Sequence, residues 1–442
     1  MVLTCGIVAN LVLLGYYKYA NFFVDSANAV LGDVFLLDSI LLPLAISFFT
    51  FQQIAYLIDT YRGETKELDF LHYCLFVTFF PQLIAGPIVH HKEMLSQFAR
   101  ASLYSVNIRR HAVGYTIFTL GLFKKVVLAD GIAAYATPAF YAADSGIALT
   151  LFEAWTGSLA YTLQLYFDFS GYSDMAIGLA RMFGIRLPLN FNSPYKATSI
   201  IDFWRRWHMT LSRFMRDYVY IPLGGNKRGI IGSQRTNLMA TMLLGGLWHG
   251  AGWNFLFWGG LHGCYVIINN KWRASHTGKA AATAREKLFG WSITFIAVVF
   301  AWVPFRAETM EGTKNMIFGM LGFNGISLDP SALRVLGDYG SWLMTIGISF
   351  DGLLAHMEGV TTFYAAAWII SLLIIALVLP NTQQIMRKYH PAFETYKGEI
   401  SQLRWKWMAW RPTRLWAIII TALFIFNVLS LTQMSEFLYF RF

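Results

Sequence analysis

Apolar stretches approaching the length of a membrane helix recur from one end of the 442-residue chain to the other, at 1–16, 35–58, 115–128, 292–305, 363–379 and 415–431. A helix that crosses the hydrocarbon core needs about 20 mostly apolar residues, so each stretch is a candidate membrane segment. Two further runs, 71–89 and 238–268, are apolar but interrupted by Gly, Pro or His. Such interruptions survive at membrane depth only where protein or a water-filled cavity satisfies the freed backbone groups. The pattern predicts an all-α polytopic membrane protein of roughly nine to eleven transmembrane or re-entrant helices. No low-complexity linker, charge block or fixed-period repeat divides it, so residues 1–442 are read as a single membrane domain.

Composition agrees, since 56% hydrophobic and only 14% charged residues is too apolar for a soluble domain of this length. A formal charge of +10 does not point to nucleic acid, because the basic residues sit in short loops rather than on a separate polar domain. Those loops, 181–186, 205–235, 271–287 and 387–414, are predicted to face the cytoplasm. Met1 runs into an apolar segment with neither a basic leader nor a small-residue cleavage site, so that segment is expected to remain in the protein. Segment 386–412 mixes Trp, Lys and Arg as an interfacial helix does, and is predicted to be a structural anchor.

Between residues 153 and 272 polar and ionisable residues repeatedly interrupt apolar surroundings, which marks this region as the catalytic core. Placed on one helix, residues 201–220 (IDFWRRWHMTLSRFMRDYVY) put Trp204, Trp207, Leu211, Phe214, Met215 and Tyr218 in an apolar arc. Arg205, His208, Ser212 and Arg216 then form a polar stripe beside it. An amphipathic helix lying in the interface accounts for this pattern. A site for a phosphate-bearing or carbonyl-bearing ligand accounts for it too.

In 243–263 (LLGGLWHGAGWNFLFWGGLHG) His249 stands in a Gly/Trp setting. A histidine there is either an interhelical hydrogen-bonder or, as a neutral imidazole, a general base. His262, 13 residues on, falls on the opposite side of an unbroken helix and is read as structural. In 163–174 (LQLYFDFSGYSD) Asp168, Ser170, Ser173 and Asp174 surround Gly171, and a break there would let the two carboxylates line a polar cavity or supply hydrogen bonds to freed backbone groups. The prolines and Gly86 of 81–87 (PQLIAGP) suggest a kinked or re-entrant segment. His90–His91 lacks further ligands at metal spacing, and LGGNKRG at 223–229 lacks the Lys-Ser/Thr ending of a phosphate loop and is read as a turn.

The strings YFDFSGYSDMAIG, DFWRRWHMTLSRFMRDYVYIPLGGN and GGLWHGAGWNFLFWGGLHG, with SFFTFQQIAYLIDTYRG, FFPQLIAGPI, FRAE and the terminal SEFLYFRF, resemble the membrane-bound O-acyltransferase (MBOAT) family, in particular its alginate O-acetylation members. The resemblance covers nearly the whole chain. It implies helices around a membrane-crossing funnel, with His249 as catalytic histidine and His208 as second active-site histidine. An acyl donor entering from the cytoplasm, acetyl-CoA as substrate with no permanently bound cofactor, is implied as well. So are residence in the bacterial inner membrane, a periplasmic SGNH-type or AlgJ/AlgX-like partner acetyltransferase, and a polysaccharide synthase complex. Alginate-type members carry hydrophobic segments before the position of Met1, so this chain is expected to lack N-terminal helices that relatives have.

On this reading the protein moves an acetyl group across the membrane for O-acetylation of an extracellular polysaccharide such as alginate. His249 deprotonates the acceptor, and His208 or Asn254 steadies the oxyanion. Arg205, Ser212, Arg216, Asp168, Ser173, Trp248 and Asn254 are the candidate binding or funnel-lining residues. D-alanyl transfer to teichoic acid, acetylation of peptidoglycan or cellulose, and a non-catalytic transport component remain alternatives.

Overall fold

The computed structural model describes the chain except residues 66–68, 84–85, 101–102, 104, 230–231, 277–282, 396–397, 432–437 and 439–442. Among the described residues the fold is α-helical. The strands there are two parallel dipeptides, Ile326–Ser327 and Ile348–Ser349.

The centre of the molecule is the 32-residue helix Leu151–Met182, buried on nearly every side. Glu153 starts it by accepting from the backbone and hydroxyl of Thr150, both at 2.8 Å. Helix Ile108–Phe123 lies along it with almost no side chain between the two backbones. A Cβ on Gly121 would stand 2.6 Å from the Gly171 carbonyl, and one on Gly178 would stand 2.6 Å from the Gly114 carbonyl. Gly171 therefore serves close helix packing. The helix runs through it without the expected break, because its backbone bonds are kept and only its missing side chain is used.

Past Phe123 the partner helix widens into a π turn, Lys124–Ala129. Its two lysines reach the central helix, where Lys124 pairs with Asp174 at 2.6 Å and Lys125 with Asp168 at 2.7 Å. Gln383 also donates to Asp174 at 2.8 Å. The two carboxylates are thus matched by cations inside the protein.

Residues 201–220 do not form one helix. Ile200–Trp204 ends, the chain turns, and Met209–Met215 begins anew and passes into a π turn, Arg216–Tyr220. The turn is pinned at His208, whose φ of 41° is left-handed and uncommon for a residue with a side chain. Among its described residues, segment 386–412 likewise holds no interfacial helix. It carries two short 3-10 turns, Arg387–Tyr389 and Lys406–Met408, within an otherwise irregular path, as Pro391, Gly398 and Pro412 interrupt any longer helix. Tyr389, Ala392, Ile400 and Trp410 fold it into a buried cluster. In 81–87 the chain passes from helix Phe70–Thr78 through an extended Phe79 into Phe80–Leu83, and 84–85 lie outside the described residues. The same holds for part of the 271–287 loop and most of the terminal 435–442 motif.

Two described helices, Val2–Leu31 and Ala284–Arg306, are long and apolar enough to cross a membrane by length and composition, and Thr362–Leu377 and Arg414–Leu429 are shorter apolar helices. Large side chains on their outer faces, among them Leu11, Phe23, Ile293, Ile374, Ile418 and Phe426, are exposed. Charged residues such as Asp168 and Asp174 are buried instead. That inversion suits a lipid solvent.

Candidate active site

Helix Gln234–His249 ends at the histidine, and after Gly250–Gly252 the chain returns along it as helix Trp253–Ala274. The hairpin closes tightly through Gly259, where a Cβ would stand 2.5 Å from the Met242 carbonyl. This brings Trp258 back onto the His249 ring at 5.1 Å and 83°, and Phe305 meets the ring from a third helix at 5.1 Å and 73°. Trp248 completes the aromatic box at 4.9 Å. The imidazole is buried and its orientation is held by edge-to-face packing.

His208 lies with its ring centre 6.4 Å from that of His249. Its unusual backbone is held by Asn190, whose carbonyl accepts from the backbone N–H of Met209 at 3.0 Å. The Asn190 side-chain oxygen accepts from the hydroxyl of Thr210 at 2.9 Å and from its backbone N–H at 3.4 Å. The same oxygen stands 3.1 Å from His208 Nδ1, and the Asn190 amide donates to Ser173 at 3.2 Å. An oxygen already serving as acceptor assigns the ring proton of neutral His208 to Nδ1 and leaves Nε2 a lone pair.

A cavity of about 710 Å³ opens onto His249. Its lining includes Trp258, Arg205, Ser212, Arg213 and Arg216, and Thr395 and Glu399 from the irregular segment. The stripe predicted from 201–220 thus reaches one cavity although the helix is broken, with His208 buried behind the wall. Arg213 is fixed by Glu93 through two bonds of 2.6 and 2.9 Å and by Thr395 at 2.9 Å. Arg216 pairs with Asp217 at 2.7 Å, and Arg205 is exposed. A second cavity, of about 580 Å³, is lined by Trp253, Asn254, Phe305, Arg306 and Glu308.

The remaining candidates fall elsewhere. Asp168 sits in its ion pair with Lys125, and Ser173 stands behind Asn190. Trp248 stacks on Phe51 at 5.0 Å and 15°. Asn254 lines the second cavity, and its amide donates to the Ala307 carbonyl at 2.8 Å. His262 is buried among Trp204, Trp258 and Trp302. Sequence reasoning missed Asn190, Arg213, Thr395 and Glu399. Only Arg213 carried a local signal, as part of the basic 205–235 segment, because the others are assembled by tertiary contacts.

The model of the MBOAT, membrane-bound O-acyltransferase family, matches residues 60–305, more than half of the chain. The chain is 47% identical over 351 residues to the peptidoglycan O-acetyltransferase of Helicobacter pylori, covering 74% of this chain and 66% of that one. It is 46% identical over 326 residues to the probable alginate O-acetylase AlgI of Pseudomonas aeruginosa, covering 73% and 60%. With the teichoic acid D-alanyltransferase of Streptococcus thermophilus it shares 32% identity over 250 residues, 53% of this chain and 58% of that one. The aligned region thus spans somewhat under two thirds of the length of these relatives. With the family pattern running across both histidines and the hairpin that carries His249, this chain belongs to the membrane-bound O-acyltransferase family.

Proposed function

We propose that the chain is an O-acetyltransferase of the bacterial inner membrane that takes acetyl from a cytoplasmic thioester, acetyl-CoA, for O-acetylation of an extracellular polysaccharide. The observation that carries this reading is His249 at the junction of the aromatic box and a cavity edged by three arginines. Guanidinium groups suit the phosphates of such a donor. His249 removes the proton of the acceptor hydroxyl as its oxygen attacks the thioester carbonyl. The tetrahedral adduct then collapses with cleavage of the C–S bond, and the leaving thiolate takes that proton from His249. His208, with its lone pair on Nε2, is better suited to accept a hydrogen bond from acceptor or donor than to donate one to the oxyanion. The Asn254 amide gives one N–H to the Ala307 carbonyl, and its second N–H is the one that would serve there.

The second cavity supports a membrane-crossing funnel, since Phe305 touches both it and the His249 ring. The donor enters through the larger cavity, and the acetyl ester of the acceptor leaves through the smaller toward a periplasmic partner acetyltransferase and the polysaccharide synthase complex. Roughly nine to eleven membrane segments surround that path. The test is mass spectrometry of the extracellular polymer from strains carrying the wild-type chain or His249→Ala at equal membrane abundance. Acetylation falling to the level of the deletion strain is the expected result; acetylation retained by the variant overturns the reading.

A further inference from the structure

Four carbonyls at the C-terminal end of any α-helix lack partners within the helix. In Gln234–His249 these belong to Gly246, Leu247, Trp248 and His249. The Gly246 carbonyl receives the Gly250 N–H at a long 3.4 Å. The other three are met by two consecutive residues more than 200 positions away. The Tyr19 hydroxyl donates to Leu247 at 2.7 Å. The Lys18 ammonium donates to Trp248 at 2.5 Å, to His249 at 3.5 Å and to the Ser47 hydroxyl at 3.2 Å.

The first helix is shaped for this contact. Val2–Leu14 and Ala20–Leu31 are joined by a π turn, Gly15–Tyr19, and Tyr19 at φ −114° departs from helical geometry. Lys18 and Tyr19 lie within this wider turn, and from there these neighbours in sequence reach the same helix end. Lys18 is buried in a strongly apolar rod, although a lysine there is costly without a dedicated partner. A cation at a helix C-terminus also faces the negative end of the helix dipole. The residues matched by the family model begin at 60, so Lys18 and Tyr19 lie outside them while the carbonyls they meet lie inside.

We infer that Lys18, assisted by Tyr19, is a positioning residue for His249: it caps the last turn of the histidine helix and so fixes where the imidazole stands relative to the cavity. The inference rests on the proposed catalytic role of His249. Lys18 acts through the backbone, so its loss displaces the base while leaving the arginines of the donor cavity untouched.

The experiment compares wild type, Lys18→Met, Lys18→Arg and Tyr19→Phe, each as purified full chain in detergent. Acetyl-transfer kinetics and amide hydrogen exchange over 243–252 are both measured, with His249→Ala as reference. Lys18→Met is expected to lower kcat by about tenfold or more, since small displacements of a reacting group carry rate costs of that order. The donor KM stays within about threefold, and exchange at 247–252 accelerates. Lys18→Arg recovers part of both losses, and Tyr19→Phe shows a smaller fall. Lys18→Met with unchanged kcat and unchanged exchange overturns the inference, as does a rise in KM alone. Should His249→Ala prove fully active, the catalytic reading falls by itself. The exchange measurement then decides whether Lys18 caps the helix: accelerated exchange keeps the clamp, and unchanged exchange removes it.

Discussion

The two histidines owe their placement to side chains on other elements. Asn190 gathers His208 Nδ1, both donors of Thr210 and the hydroxyl of Ser173 around one amide, and so fixes a backbone conformation that a histidine rarely adopts. Asn190→Ala should therefore lower kcat by roughly tenfold or more through loss of the His208 geometry, with little change in donor KM. Steady-state kinetics check this, and a variant with wild-type kcat would remove His208 from the mechanism. His249 was legible from its WHG setting and the family likeness, and His208 from the stripe it shares with Arg205, Ser212 and Arg216. Lys18 and Asn190 were not. Lys18 follows an apolar run and reads as the polar flank of a span, and its burial becomes visible only when the Gly15–Tyr19 turn meets the histidine helix. Asn190 makes its contacts with residues 17 to 20 positions away, a separation at which no periodicity operates.

At the scale of elements, glycine decides how closely the hairpin that carries His249 closes. Adjacent glycines offer an internal control. A Cβ at Gly259 meets the Met242 carbonyl at 2.5 Å, whereas one at Gly260 meets only the tip of Leu243 at 3.9 Å. Gly259→Ala should cost about 1–3 kcal/mol of stability through overpacking and reduce activity by moving Trp258 off His249. Gly260→Ala should behave as wild type. Thermal unfolding in detergent and transfer rates for the pair measure the difference, and equal behaviour would refute the packing account. The helical pattern itself was legible, since apolar runs and helices coincide in Ala284–Arg306, Thr362–Leu377 and Arg414–Leu429. The interruption of 201–220 was not, because every residue from Ile201 to Tyr220 is compatible with a helix and the turn at His208 is imposed by Asn190.

At the scale of the molecule, the described apolar rim helices turn large side chains outward, while ion pairs are held inside around the central helix. Lys124, Lys125, Asp168 and Asp174 neutralise one another around the central helix, which is how Leu151–Met182 carries charges without exposing them to lipid. Cys264 tests this arrangement, being exposed on the outer face near the middle of Trp253–Ala274, about 16 Å from either end at the usual helical rise. In intact membranes it should resist a charged maleimide for the duration of labelling and react once the protein is unfolded in detergent, as a gel mass shift reports. Rapid modification in the membrane would place that face in water. The central claim is that His249 performs acyl transfer inside the membrane domain, and its most direct test is the rate of acetyl release from labelled acetyl-CoA by the purified protein, wild type against His249→Ala, with hydrogen exchange confirming that both are folded. The account predicts turnover by the wild type and a loss of at least about a hundredfold in the variant; comparable turnover by a folded His249→Ala protein would contradict it.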